Sequence, residues 1–285
     1  MASELRETIP TFNQAEAEGD GEVSLTNWSA LTSQGFARNW GEVGLIVLVA
    51  VVLIAGAELA VRAFNIQSYI FPPPSAIART LVTRFGDLFW PHMQITLLEL
   101  LSGFAIGASI GLVLAAVITQ VPLMEKIITP YILLLVTTPM IALVPLLITQ
   151  MGFGMSPRII ATALAAGPMV MINAATGFRR TDLAKIALAR SYGATTFQIF
   201  TKVRFPLALP MIIVGLMVGA IFGMLTAVGA EIIGSSEGLG SRLAFFSSRI
   251  RMADFWAVIV ILAVMGILIY VFFYWVGKRW ASWQA

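Results

Sequence analysis

Three carboxylates, Glu58, Glu99 and Glu231, sit in stretches that are otherwise apolar. A carboxylate so placed pairs with a cation, accepts hydrogen bonds from packed polar groups, or handles an ion on a pathway. Glu58 has Arg62 four residues on, the spacing of an ion pair along one helix face, and that reading suits it best. Glu99 falls near the outer end of its apolar run, where water or an amide can satisfy it. Glu231 closes its run between Gly229 and Gly234, and it either gates a pathway or is packed and hydrogen-bonded. Of the 18 lysines and arginines, six crowd into residues 179–204, as Arg179, Arg180, Lys185, Arg190, Lys202 and Arg204.

Other chemistries are not expected of this chain. Cysteine is absent and His92 is the one histidine, so disulfides, thiolate metal sites and histidine clusters are excluded. No GxxxxGK[ST] or HExxH pattern occurs, so no Walker loop or zinc helix is present. The polar residues within apolar runs, Glu58, Glu99, Glu231, Gln150 and Asn173, offer no nucleophile–base pair. Catalytic residues and bound metal are therefore expected to be none.

The elements that carry these groups follow from composition. The 285 residues are 58% hydrophobic and 12% charged, with mean hydropathy +0.88. Soluble domains carry about 25% charged residues, so the chain reads as an all-α integral membrane protein. Its net charge of +3 is clustered and reads as topology, with no nucleic-acid partner. A spanning helix needs about 20 apolar residues. Six runs qualify, at about 43–64, 95–119, 127–150, 159–178, 207–233 and 255–276. Pro130, Pro139 and Pro145 interrupt the third, which is expected to be a kinked helix inside a bundle.

Residues 1–39 are expected to form a cytoplasmic segment. It is disordered to about Val23 and then carries an interfacial helix with Leu25, Trp28 and Leu31 at helical spacing. It lacks the layout of a secretory leader. Residues 40–285 make one membrane domain. With six spans, eleven of the lysines and arginines fall on the side of the N-terminus and seven on the other, so both termini are expected inside. Outside, "FPPPSAI" opens a helix starting at Ser75 with Ile77, Leu81 and Phe85 on one side. The segment between the last two spans is expected to be an external loop, with Arg242, Arg249 and Arg251 either solvated or facing an acidic partner or anionic solute.

Two glycine ladders, Gly103–Gly107–Gly111 and Gly215–Gly219–Gly223, allow helices to approach backbone to backbone. Packing within the chain is favoured for the first; the second could equally serve a subunit or pathway contact. Between the fourth and fifth spans, Thr181–Asp182 can cap a helix, Gly193 can end it left-handed, and Thr195 or Thr196 can start another towards Arg204. Leu183, Ile186 and Ala187 would share a face of the first helix, and Phe197, Phe200 and Val203 a face of the second. The alternative is a long loop resting on lipid headgroups.

The stretch "ALARSYGATTFQIFTKVRFPLALPMIIVG" resembles the EAA loop of permease subunits of binding-protein-dependent ABC importers, with Gly193 at the family's glycine. "TLLELLSGFAIGASIGLVLA", "TPMIALVPLLITQMGFG" and "GAEIIGSSEGLGSRL" are similar, in order, to the nitrate/sulfonate/taurine branch, so the resemblance covers about residues 43–278. The family's leading glutamate falls at Ala187 and its next alanine at Leu188; Ala189, Arg190, Ser191, Gly193 and Ala194 fit the pattern. The resemblance implies a type I importer fold with about six transmembrane helices and a coupling-helix loop at about 179–206. It implies a second permease, identical or similar, two ATPase subunits that bind ATP and magnesium, an extracytoplasmic substrate-binding protein, and the inner membrane of a bacterium or archaeon. No cofactor belongs to this chain. Leu183, Ala187 and Phe197 would supply apolar contacts to the ATPase, and Pro139, Pro145, Gly219, Gly223 and Glu231 are candidates for the path of a small solute, an organic or inorganic anion such as a sulfonate, taurine or nitrate. The rival is an ion-coupled secondary transporter, which would need coupling-ion sites and usually a repeated half; no convincing repeat occurs.

Overall fold

The computed structural model describes residues 40–281. The segment expected to be disordered and the interfacial helix around Leu25–Leu31 lie outside the described residues. Of these, residues 40–53 and residues 54–281 fall in separate units. What is described of the first is the start of helix α1 (Trp40–Ala63), where every large apolar side chain from Leu45 to Leu53 is exposed. A helix that is apolar all round and uncovered has the surface of one bathed in lipid.

The second unit holds the rest of α1 and ten further helices. These are α2 (Pro74–Arg84), α3 (Trp90–Gln120), α4 (Pro122–Thr137), α5 (Met140–Met151), α6 (Met155–Arg179), α7 (Leu183–Ser191), α8 (Thr196–Ile199), α9 (Phe205–Gly234), α10 (Leu239–Ser248) and α11 (Met252–Trp280). Single π-helical turns, Phe85–Phe89 and Phe200–Arg204, run α2 into α3 and α8 into α9. Five helical stretches are long and apolar enough to cross a membrane, or six if the bent pair α4–α5 counts as one span.

Helix α6 is the centre of the unit, gripped by α3 on one side and α9 on the other. The glycine ladders make this possible. A Cβ on Gly103 would lie 2.7 Å from the Ile159 carbonyl oxygen, and one on Gly107 would lie 3.0 Å from the Gly167 nitrogen. On the other flank, a Cβ on Gly215 would come 2.7 Å from Asn173 Cβ, and one on Gly219 would come 2.7 Å from a Val170 methyl. Apolar lipid gives no hydrophobic drive to pair helices, so van der Waals contact at close range has to hold them. Both ladders therefore serve packing within the chain.

Three elements differ from the expectation. The third span is broken, not kinked: α4 and α5 meet at 97°, with Thr138 and Pro139 both extended (ψ 125° and 104°). A residue before proline is pushed out of the helical region, and Thr138 stands before Pro139. The threonine hydroxyls add further hydrogen bonds to the last turn of α4. Thr137 Oγ1 donates to the Leu133 and Leu134 carbonyls (3.0 and 3.1 Å), and Thr138 Oγ1 donates to Leu134 (2.7 Å). Pro130 and Pro145, inside α4 and α5, leave those helices continuous.

Helix α2, expected to lie outside, begins at Pro74, with no side-chain cap, instead of at Ser75. Proline's fixed φ and missing N–H suit a first helical position. Ser75 holds α1 instead, its N–H and hydroxyl donating to Glu58 at 2.9 and 2.8 Å. Between the last two spans, the expected loop contains α10, entered through Gly238 at φ +92°.

Candidate functional site

The segment between α6 and α9 is built by local caps. Asp182 Oδ1 accepts the Ala184 N–H (2.8 Å) and opens α7. At its end the Gly193 N–H donates to the Arg190 carbonyl (2.9 Å) and the Ala194 N–H to the Ala189 carbonyl (3.1 Å). That is a Schellman closure, and it requires the left-handed φ of +76° at Gly193. Thr195 and Gln198 then exchange hydrogen bonds as a capping box, Thr195 N–H to Gln198 Oε1 at 2.9 Å and Gln198 N–H to Thr195 Oγ1 at 3.3 Å. Two short helices thus keep a fixed mutual angle without a long core.

The segment is tied to the unit on one side only. Ile186 and Ile199 are buried, and the Phe200 ring lies 5.0 Å from that of Phe178 at the end of α6. The grouping of Ile186 with Leu183 and Ala187 on one outward face is corrected accordingly: Ile186 turns into the protein, while Leu183, Ala187 and Phe197 stay exposed. Leu188 and Tyr192 are exposed too, and Tyr192 is the most open, at 83%. Arg190, Ser191 and Gly193 are exposed, and Ala189 and Ala194 are half-buried beneath the turn.

At the opposite end of the helices lies a buried polar cluster. Glu99 on α3 is not satisfied by water at an outer end, as its position suggests; it is fully buried and paired with Arg158 on α6, itself 4% exposed. Arg158 Nε also donates to the Gly154 carbonyl (2.8 Å). Glu231 on α9 lies beside Glu99, within reach of the same arginine's charge. Its carboxylate accepts from Thr96 Oγ1 (2.7 Å) and from the Gly240 N–H (2.6 Å). Thr96 Oγ1 in turn accepts the Leu239 N–H (2.9 Å), and the Gly238 N–H donates to His92 Nδ1 (3.1 Å). Three successive N–H groups at the start of α10 are thereby spent on α3 and α9, with Glu231 as the anion at that helix N-terminus. A side chain on Gly238 would overlap the Glu231 carboxylate. Sequence reading misses Arg158, Thr96 and Gly240, because their partners are distant along the chain; the buried Glu99 is the one signal that a cation had to be found for it.

The remaining candidates are dispersed. Gly219 and Gly223 face α6, against Val170, Ala166 and Thr162. Pro145 lies within α5. Pro139 borders a cleft of about 290 Å³ at the α4–α5 break, shared with the middle of α6 and with Phe222, Leu225 and Thr226 of α9. The outer arginines are engaged: Arg251 Nη2 and Arg84 Nη1 reach Asp254 at 2.7 and 2.8 Å, Arg242 Nη2 donates to the Ser236 carbonyl at 3.0 Å, and Arg249 lies over the Phe245 ring. No group of three or more metal-ligating side chains occurs among the described residues.

Comparison with known proteins bears on the arrangement. Residues 107–282 match the family described as binding-protein-dependent transport system inner membrane component. A permease assigned to aliphatic sulfonate transport in Bacillus subtilis is 30% identical over 253 residues, covering 88% of this chain and 91% of that one. The taurine transport system permease of Escherichia coli is 29% identical over 210 residues, covering 70% and 76%. Other relatives are named for formylaminopyrimidine and riboflavin transport. Among solved structures, an amino acid ABC transporter shares the fold with TM-score 0.60 at 19% identity, over 70% of this chain and 96% of that one.

Proposed function

The chain belongs to the binding-protein-dependent transport system inner membrane component family and is a multi-pass permease subunit of an ABC importer; we propose that the α7–Gly193–α8 segment is where a partner ATPase takes hold of it. The carrying observation is the uncovered apolar side of that segment, Leu183, Leu188, Tyr192 and Phe197, on a scaffold stiffened by caps at each end. Apolar side chains in such number, outside the spans and beside the densest positive charge of the chain, suit a protein groove better than water. With no GxxxxGK[ST] loop in this chain, hydrolysis falls to two ATPase subunits that carry ATP and magnesium. A second permease completes the path, and an extracytoplasmic binding protein delivers the solute.

ATP-driven closure of the ATPases would carry the two short helices as one lever, because the Schellman turn at Gly193 transmits a push instead of absorbing it. Ile199 and Phe200 would pass the motion to the ends of α6 and α9, and so to the three-helix stack. The glutamate of the family pattern is Ala187 here, so no acidic contact is proposed at that position. The names of the relatives favour a small organic anion, a sulfonate above all, as the solute. Gentle purification from native membranes tests the reading: a stoichiometric partner carrying a Walker loop is expected. A chain that emerges alone, under conditions that keep other membrane complexes together, returns the secondary transporter to the front.

A further inference from the structure

The buried cluster at the end of the bundle away from Gly193 does not balance its charges. Glu99 on α3 and Glu231 on α9 are both fully buried, and Arg158 on α6 is 4% exposed. The charges that bear on the two acids are each other's and that of Arg158. Two carboxylates and one guanidinium would leave a net negative charge out of reach of water. His92 does not offset it, because its Nδ1 accepts the Gly238 N–H (3.1 Å) and the ring is therefore neutral. Glu237 and Arg242 face His92 from the α9–α10 connection and α10, and Arg242 is turned to the Ser236 carbonyl and the Phe245 ring. The donors lead to the same place. Glu231 Oε1 accepts from Thr96 Oγ1 (2.7 Å) and its Oε2 from the Gly240 N–H (2.6 Å), while Glu99 Oε1 pairs with Arg158 Nη1. Glu99 Oε2 is buried and has no donor among the described residues. The Glu231 carboxyl lies within hydrogen-bonding reach of Glu99, drawn against α3 by Thr96 one turn earlier. An ionised carboxylate only accepts, whereas a protonated one donates. Two carboxyls in contact cannot both keep their charge, and a buried charge without a partner is neutralised by a proton.

We propose that Glu99 and Glu231 together bind one proton, shared across their contact, and that this proton latches α3 to the corner where α9 meets α10. The latch does not depend on what the permease carries or on which ATPase drives it. With the proton in place the cluster is neutral and all four carboxyl oxygens are bonded. When the O–H bond breaks and the proton leaves to water, two anions share one arginine. Their repulsion then acts across the α3–α9 contact, on the Thr96 and Gly240 hydrogen bonds that hold the start of α10.

The full chain is placed in nanodiscs and its infrared spectrum recorded between about pH 6 and about pH 8, above the range in which a free glutamate titrates. Wild type is expected to show the C=O stretch of a protonated carboxyl, moved by exchange into D2O. Glu99→Gln and Glu231→Gln are each expected to lack it. Glutamine at 99 supplies an N–H where the proton sits, so that variant is expected to fold. Reversible unfolding in mixed micelles gives a second readout. A folded state that holds one proton more than the unfolded chain loses stability as pH rises. The unfolding constant of wild type is therefore expected to climb by about tenfold per pH unit relative to that of Glu99→Gln. Where Glu99→Gln yields no folded protein, Glu231→Gln is compared with wild type in its place. Wild type without the protonated-carboxyl band overturns the shared proton, and so does a band that survives in both variants. Wild type and Glu99→Gln with the same pH dependence of unfolding overturn the latch, since a merely structural pair would leave that dependence unmoved.

Discussion

Arg158 on α6 and Glu99 on α3 form an ion pair whose side chains are 5% and 0% exposed. A buried pair is not a stabilising device in itself, since desolvation offsets much of the attraction, but breaking it leaves one charge stranded. Glu99→Leu or Arg158→Leu alone is expected to destabilise the purified permease by about 3–5 kcal/mol, seen as a lower melting temperature in nanodiscs. The double variant E99L/R158L is expected to recover much of that loss. Equal melting of both single variants and wild type would remove the pair from the account.

Glu231 couples to the start of α10 through one hydrogen bond and one glycine. Gly238 holds φ +92° and has no room for a side chain beside the carboxylate. Gly238→Ala is expected to cost more than the 1–2 kcal/mol of a left-handed residue alone, roughly 2–4 kcal/mol once overlap is added. Limited proteolysis between α9 and α10 reads this directly, and unchanged protection would contradict it.

The grip of α3 on α6 depends on contact at backbone distance. Gly107→Val is expected to push the helices apart and leave little folded protein after extraction, whereas Gly86→Ala, where a Cβ meets nothing within 4 Å, is expected to be silent. Size-exclusion profiles in mild detergent separate the two.

Within the α7–Gly193–α8 segment, Thr195→Ala removes half of the capping box. A loss of about 1 kcal/mol of local stability is expected, visible as faster amide exchange at Gln198 and Ile199 without a change in the global melt. Unaltered exchange would mean that packing, not the cap, holds α8.

The helix–glycine–helix was legible in the sequence because each part of it is decided within a few residues. Asp182, Gly193, Thr195 and Gln198 act on neighbours, so their types and spacing are enough. The spans were legible for the same reason, since length and apolarity are local. The third span was not, because proline placement alone does not distinguish a kink from a break. The outcome is the 97° bend at Thr138–Pro139, a detail seen only in three dimensions. Arg158 was counted towards the outer charge, and its pairing with Glu99 depends on how α3 crosses α6. Helix α10 was hidden by "GSSEGLG", which has the composition of a loop; its first turn is closed by Glu231 and Thr96 from other helices.

The central claim is that the segment around Gly193 carries the stroke of a partner ATPase into the membrane. Gly193→Val tests it most directly. Nothing lies within 4 Å of a Cβ there, so the change acts on the backbone angle and not by collision, and a β-branched residue at φ +76° is strained. In proteoliposomes containing the whole complex, solute uptake and ATP hydrolysis are measured together. The expected result is hydrolysis that persists while uptake per ATP falls several-fold, with the permease still assembled in the membrane. Uptake per ATP equal to that of wild type would contradict the assignment.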